Sequence, residues 1–585
     1  MAKLTRNARI VLNHRYLKRD GAGNVAETPE EMFSRVARHV AGAERFYGKG
    51  KRFGEMEEIF FEMMTDLHFL PNTPTLMNAG TRLGQLAACF VLPVPDSMRG
   101  IFRSVSDMAV IHQSGGGTGF NFSSLRPEGD MVKSTGGVAS GPVSFMGVFD
   151  KATDVVKQGG RRRGANMGVL RVDHPDIVTF IRAKERPGRF TNFNLSVAVT
   201  DRFMAAVKRE GTVPLINPKT GKETGRTDAA ALLDLMSRLA WQTGDPGLLF
   251  IDEVNRKNPT PALGDMAGTN PCGELPLYPY ESCNLGSINL SHMVRRGRVD
   301  YGKLRSIIGA GVRFLDNIID LNRYPLAPIR KMTLANRKIG VGVMGFAEML
   351  IKLGIPYDSE KALRLAGRLM GFVTREARQV SVGLARERGA FPNFPMSVYG
   401  VKGLPPMRNA TVTTVAPTGT ISIIAGTTSG IEPLFAVSFL RRVLDGSELL
   451  EVNRLFEKTV QGKPFYTNRV RDEIIGKGSI QGIRGIPRET RALFKTAMDI
   501  SPEWHLRIQA AFQRHTDNAV SKTVNLPEEA TAEDIRRIYL QAHALKCKGV
   551  TVYRYGSKGG QVLNLPGENG TVDEEFDGSC RLCGI

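Results

Sequence analysis

From Asn72 onward, short β-like runs alternate with longer amphipathic stretches, and this alternation constrains the fold more than any other feature of the chain. Segments at 194–199, 339–343, 411–415 and 550–553 read as strands. Those at 228–243, 304–321, 360–388 and 532–545 read as helices. Such a pattern predicts an α/β protein with one large core, because each helix can cover neighbouring strands. The first 70 residues differ and read as helical. Thr28-Pro29-Glu30-Glu31 combines an N-cap, a proline at the first helical position and the glutamate of a capping box. A second helical stretch is expected over 56–70. The reading therefore divides the chain into a helical region (1–70), an α/β body (71–555) and a Gly-rich, acidic tail (556–585).

At 585 residues, with 42% hydrophobic and 23% charged residues, the composition is that of a globular protein with a sizeable core. No apolar run approaches the roughly 20 residues needed to cross a bilayer. The basic start lacks the apolar stretch of a signal peptide, so the expected location is cytoplasmic. The net charge of +21 suits anionic partners such as nucleotides. Arg161-Arg162-Arg163 is the only tight basic run, and no zinc-finger, homeodomain or RNP-like pattern accompanies it, so no stable nucleic-acid partner is expected. The 6 cysteines, at 89, 272, 283, 547, 580 and 583, are too few for a disulfide scaffold. Cys547, at the end of a helix-like stretch, reads as a small core residue.

Asn270-Pro271-Cys272-Gly273-Glu274 places a thiol between an amide and a carboxylate. In an extended segment, residues two apart project to one side, so all three could line one small site. A carboxylate beside a thiol disfavours thiolate, which suits hydrogen-atom chemistry better than acyl transfer. Cys580 and Cys583 form half of a four-cysteine zinc site, and a dithiol/disulfide shuttle fits them better. Ala416-Pro417-Thr418-Gly419-Thr420-Ile421-Ser422 leads a β-like run into a glycine turn dense in hydroxyls, which either binds phosphate or is an ordinary turn. Ser114 to Gly119 has the same two readings, as an anion loop or as glycines that allow close strand packing. The stretch Gln158 to Asn166 reads as a loop carrying cations.

Taken together, these residues resemble the catalytic subunit of ribonucleotide reductases, specifically the adenosylcobalamin-dependent class II. The resemblance rests on Pro71-Asn72-Thr73-Pro74-Thr75-Leu76, Cys89 in its apolar run, Asn270 to Glu274 and Cys283 to Asn289. It continues through Ala416 to Ser422, Gly430-Ile431-Glu432-Pro433, Lys548 to Arg554 and the tail cysteines, in the family's order over nearly the whole chain.

The resemblance implies a ten-stranded α/β barrel, built from two five-stranded parallel halves around a central finger loop. It implies that adenosylcobalamin, by homolysis of its cobalt–carbon bond, initiates a thiyl radical on Cys272, which takes the ribose 3′-hydrogen. Glu274 would then act as general base and Asn270 would hydrogen-bond the sugar hydroxyls. Cys89 and Cys283 would be the redox-active pair, recharged by Cys580 and Cys583 and in turn by a thioredoxin- or glutaredoxin-like reductant. By the same analogy Thr73, Ala88, Thr418, Gly419, Thr420, Ile421 and Ser422 bind the substrate. Asp96, Ser97 and Lys133 contact a dNTP or ATP effector, while Gln158, Arg161, Arg162, Arg163 and Asn166 belong to the specificity loop. The expected product is a 2′-deoxyribonucleotide, with a lean to diphosphate substrates and a homodimer. Two departures bear on the class. Tyr553-Arg554-Tyr555 lacks the adjacent tyrosines of class I enzymes, whose large subunit needs a separate radical-generating subunit, and no glycyl-radical signature is present. The Asp-x-His-x-x-Gly cobalamin motif is also absent, so the sequence names no cobalamin-contacting residues.

Overall fold

The computed structural model describes residues 4–132, 136–158, 162–442 and 448–557. Ten strands form the main sheet: β1 (Phe69–Pro71), β2 (Cys89–Leu92), β3 (Gly117–Asn121), β4 (Asn166–Arg171), β5 (Phe193–Val199), β6 (Gly247–Phe250), β7 (Glu281–Asn289), β8 (Ile339–Met344), β9 (Thr523–Leu526) and β10 (Gly549–Arg554). Strands β2 to β6 pair in parallel, in sequence order. A second parallel set comprises β7 with β8 and β9 with β10. The two sets meet at antiparallel seams, β2 against β7 and β6 against β10.

The segment 411–415 completes the ring, though not as the full strand expected. It touches β8 at one bridge, Val341 with Thr413, and the lead-in to β9 at another, Val415 with Val520. Counting this segment, the ring has two five-membered parallel halves, as the resemblance implies. Its strands are buried on both faces; every residue of β2, β7 and β8 is buried. That removes the polar/apolar alternation by which half-exposed strands are recognised.

Capping chemistry fixes the helices. Thr28 and Glu31 form the capping box that opens the helix Pro29–Ala41. Ser359 caps Glu360–Arg388, and Asp228 caps Ala229–Thr243, which ends at the left-handed Gly244. The helix expected over 56–70 instead runs Phe53–Thr65: the chain turns at Leu67, with φ of 56°, and leaves as β1. The N-terminal helices dock on Tyr301–Leu321, with Phe60 edge-on to Phe314 at 5.0 Å. A second core unites the first half-barrel with the helices Met98–Gln113, Gly141–Val155, Ala229–Thr243 and Ala532–Ala544. Residues between 434 and 494 enclose a small satellite core around Phe456 and Phe494.

Candidate active site

A short hairpin enters the ring between β6 and β7. Its arms, Gly268–Thr269 and Pro276–Leu277, pair antiparallel and present Asn270 to Leu275 at the tip. The tip is held from both half-barrels. Asn194 of β5 donates to the Pro271 carbonyl at 2.9 Å. The Glu274 carbonyl accepts from the Thr414 hydroxyl and from the Ala519 N–H, each at 2.9 Å. The approach is closest at β3, where a Cβ on Gly119 would lie 1.8 Å from the Thr269 carbonyl oxygen. A Cβ on Gly116 would lie 2.4 Å from Phe90. The glycines of Ser114 to Gly119 thus serve close packing, not an anion loop.

The tip is not extended. Gly273 N–H donates to the Asn270 carbonyl at 3.0 Å, and Gly273 takes φ of 78°, which a side chain would strain. Asn270, Cys272 and Glu274 are therefore gathered by a turn and not by strand alternation. The Asn270 side chain closes the loop by accepting from Leu275 N–H at 3.0 Å, and its amide donates to Cys89 Sγ at 3.1 Å.

Cys89 and Cys283 are register partners across the β2–β7 seam. Directly opposed residues of antiparallel strands have Cα atoms about 4.5–5.5 Å apart, within the range a disulfide spans. Both are buried free thiols here, whereas Cys272 is partly exposed. Burial raises the Cys89 thiol well above its ordinary pKa, and the Glu274 carboxylate adds to the rise. Burial likewise pushes Cys283 up, and its thiol donates to the Lys338 carbonyl. The negative field expected at Cys272 is thus registered at Cys89. Burial pushes Glu274 itself up to about 7, against the hydrogen bond from Asn270. Glu274 Oε2 is buried and has no hydrogen-bond partner among the described residues. A carboxyl so placed is poised to accept a proton near neutrality.

Ala88, Leu275 and Ala416 form one apolar floor with the two seam thiols, which puts the start of the 416–422 segment beside them. That segment turns at Thr418, with φ of 56°, into the helix Gly419–Ala425. The Thr418 hydroxyl accepts from Gly430 N–H at 2.7 Å, and Ser422 Oγ donates to the Gly419 carbonyl at 3.0 Å. The first-turn N–H groups of Gly419, Thr420 and Ile421 are those a helix leaves without internal acceptors. Thr73 opens the helix Thr73–Asn78 and meets the Tyr16 hydroxyl at 2.8 Å.

Other expected residues lie apart. Asp96 is paired with Arg126 at 2.8 Å, and Ser97 caps the helix Met98–Gln113. Asn166 is a β4 residue rather than a loop residue: it is fully buried, accepts from Thr118 at 2.6 Å and donates to Thr153 at 2.8 Å. Gln158, Arg162 and Arg163 lie on a small hairpin of which only the backbone is described. Lys133, Arg161, Cys580 and Cys583 lie outside the described residues.

Cys272 also lines a cleft bounded by Asn194 to Ser196, Gly244 to Leu249, Val520 to Thr523 and Gly549 to Tyr553. Sequence reasoning had no local signal for this wall, which four distant segments build. Its polar groups are mostly hydroxyls and amides. Among the described residues its one cation, Lys522, is tied to Glu432 at 2.6 Å, and no histidine lines it. That donor set fits the adenosyl part of adenosylcobalamin and offers no imidazole to cobalt. Tyr553 lines the same cleft, and its sequence neighbour Arg554 is held over Trp241 at 4.4 Å.

Comparison with known proteins agrees with this geometry. The family model described as "Ribonucleotide reductase, barrel domain" matches residues 87–405 and 402–553, and "Ribonucleotide reductase, all-alpha domain" matches 2–84. The chain belongs to the ribonucleotide reductase family. It is 53% identical, over 99% of its length and 83% of the relative's, to a vitamin B12-dependent ribonucleoside-diphosphate reductase of Mycobacterium tuberculosis. A relative of the same name from Thermoplasma acidophilum is 49% identical over 96% of this chain and 80% of its own. Among solved structures, the alpha subunit of the Actinobacillus ureae class Id ribonucleotide reductase superposes with a TM-score of 0.78. That alignment has 22% identity and covers 94% of this chain and 97% of that one, which speaks to the fold.

Proposed function

We infer that the protein reduces ribonucleoside diphosphates to 2′-deoxyribonucleotides by thiyl-radical chemistry that depends on adenosylcobalamin. The observation that carries this reading is the meeting of three thiols and one carboxyl inside the barrel, two of the thiols in direct register. When bound, adenosylcobalamin supplies an acceptor for the Cys272 hydrogen atom through cleavage of its cobalt–carbon bond. The Cys272 thiyl then takes the ribose 3′-hydrogen, and Glu274 accepts the 3′-hydroxyl proton. Asn270 orients the sugar while holding Cys89. The 2′-hydroxyl leaves as water, protonated by a seam thiol. Cys89 and Cys283 together give up two electrons and two protons and end as a disulfide; Cys272 hands the hydrogen back to C3′ and regains its own from the acceptor that first took it. High thiol pKa values serve this role, because the pair must deliver protons as well as electrons. Diphosphate substrates agree with the names of the two relatives about half identical to this chain. Phosphates would be held by the first turn after Thr418 and by Thr73, and the tail pair Cys580 and Cys583 would reduce the seam disulfide by exchange.

The test is Cys272→Ser. Nucleotide binding should match the unaltered protein while turnover falls to the detection limit; retained turnover would overturn the reading.

One surface supports a homodimer. On Met98–Gln113, Met98 is 60% and Phe102 49% exposed, while Val155 on the adjacent Gly141–Val155 is 75% exposed. An exposed apolar stripe on one helix, with Val155 on its packed neighbour, suits a helix-mediated contact between two copies. Phe102→Glu should convert a dimer to a monomer in sedimentation; an unchanged dimer would exclude this face. Asp96 and Ser97 lie at the head of the same helix, where an effector nucleotide would sit beside the interface.

A further inference from the structure

A large concavity lies away from the thiols. It has a volume of about 920 Å³ and borders Thr411 and Thr516–Asp517, where two members of the second half-barrel begin. The segment Ala416 to Ser422 follows the far end of the first of these members, and Lys522–Thr523, in the cleft beside Cys272, lies further along the second. The remaining walls are the turn from Arg256 to Pro259, the second half of the helix Glu360–Arg388, and residues around Tyr399 and Lys402.

Seven Lys and Arg side chains line this space against one carboxylate, Asp517. Some are already neutralised. Arg378 is paired with Asp517, Arg256 bridges Asp201 and Glu253, Arg375 lies 3.7 Å from Glu376, and Lys257 lies 3.6 Å from Glu253. Arg386, Lys402 and Arg514 have no carboxylate partner among the described residues, and all three are exposed. Cations on a convex surface are simply hydrated, but cations converging on a cavity focus their potential into it. Neighbouring groups register that field. His515 is lowered by burial and then by Arg514 and Lys257, and Lys548, beneath Asp517, is lowered to about 7 by burial and then by Lys257. Guanidinium forks match phosphate oxygens. The walls add Tyr399, Val382, Val398 and the prolines 259 and 405, apolar surface that a bare ion would not need. The volume is that of a site for one small organic ligand.

We propose that this cavity is a second anion site, taking a small molecule that carries two or three linked phosphates, with Arg386, Lys402 and Arg514 as its principal ligands. It is separate from the reductase centre and stands whether or not that assignment holds. Isothermal titration of the full chain with inorganic tripolyphosphate, at fixed ionic strength, counts anion sites per chain. The combined variant Arg386→Ser, Lys402→Ser, Arg514→Ser should lose one site per chain, or weaken it at least tenfold, while turnover at saturating ribonucleotide stays unchanged. A matched variant at three other exposed cations, Lys208→Ser, Lys222→Ser, Arg471→Ser, should keep the full count. An unchanged count in the first variant, or equal loss in both, would overturn the proposal. So would affinity that appears only with long oligonucleotides, which would mark an extended nucleic-acid surface instead.

Discussion

Two buried carboxylates, Glu274 and Glu44, are each 2% exposed, yet the chain treats them in opposite ways. Glu44 joins the N-terminal helices to the barrel. Both its oxygens accept from Arg313 at 2.8 Å, Arg388 adds a bond at 2.7 Å and Asn317 one at 2.9 Å. Burial alone would raise it, but hydrogen bonds from Arg313 and Asn317 and the charge of Arg388 prevail and hold it at about 2. Asp316 sits beside it among Arg337, Arg388 and Arg408. Among the described residues Glu274 has no cation near it and one oxygen without a partner, and burial pushes it up to about 7. The first carboxylate is saturated and structural. The second carries an unmet hydrogen-bonding capacity, the kind of feature that clusters at functional sites.

Removing each charge should separate the two roles. Glu274→Gln should lower turnover by about 10²–10⁴, the usual worth of a positioned general base, with thermal stability equal or higher because an unpaired buried acid is gone. Glu44→Gln should do the reverse. It should cost about 3–5 kcal/mol of stability by stranding buried guanidinium groups, seen as a lower denaturation midpoint, with turnover per folded molecule retained. If both variants lose stability alike, the contrast fails.

A smaller effect lies in pH. Glu274 has a folded pKa above its unfolded value of 4.5, so folding takes up a proton between those limits. Its contribution is therefore full below about pH 4.5 and declines, by roughly 3 kcal/mol, as pH rises through about 7. Glu44 is depressed, so its contribution is full above pH 4.5 and is lost, by a similar roughly 3 kcal/mol, as pH falls through about 2. Subtracting the denaturation curves of Glu274→Gln and Glu44→Gln from the parent's should give slopes of opposite sign in those two windows. Turnover should rise with pH to a midpoint near 7, since only ionised Glu274 accepts the ribose proton; a flat profile from 5 to 8 would count against that role.

The contrast also explains what the sequence could and could not reveal. The capping box at Thr28 and Glu31 was legible because caps are local, and the helices read at 228–243 and 360–388 match those observed within a residue. Strands β2 and β7 were not marked as such, because a strand buried on both faces loses its alternation, and 411–415 proved to be two bridges. Cys272 and Glu274 were legible as chemistry, but their gathering depends on Gly273 turning the tip and on Gly119 admitting it, contacts set by residues far apart in sequence. Asn166 read as part of a cationic loop and instead lies buried between Thr118 and Thr153. The Glu44 network had no local signal, since Arg313, Asp316 and Arg388 meet only after two helices pack.

The central claim is that this one chain makes and uses its own thiyl radical. Anaerobic incubation of the purified protein with adenosylcobalamin, CDP and a small dithiol, followed by product assay, tests it directly. Formation of dCDP with no other protein present is the predicted result. Product that appears only when a separate radical-generating subunit is added would contradict it.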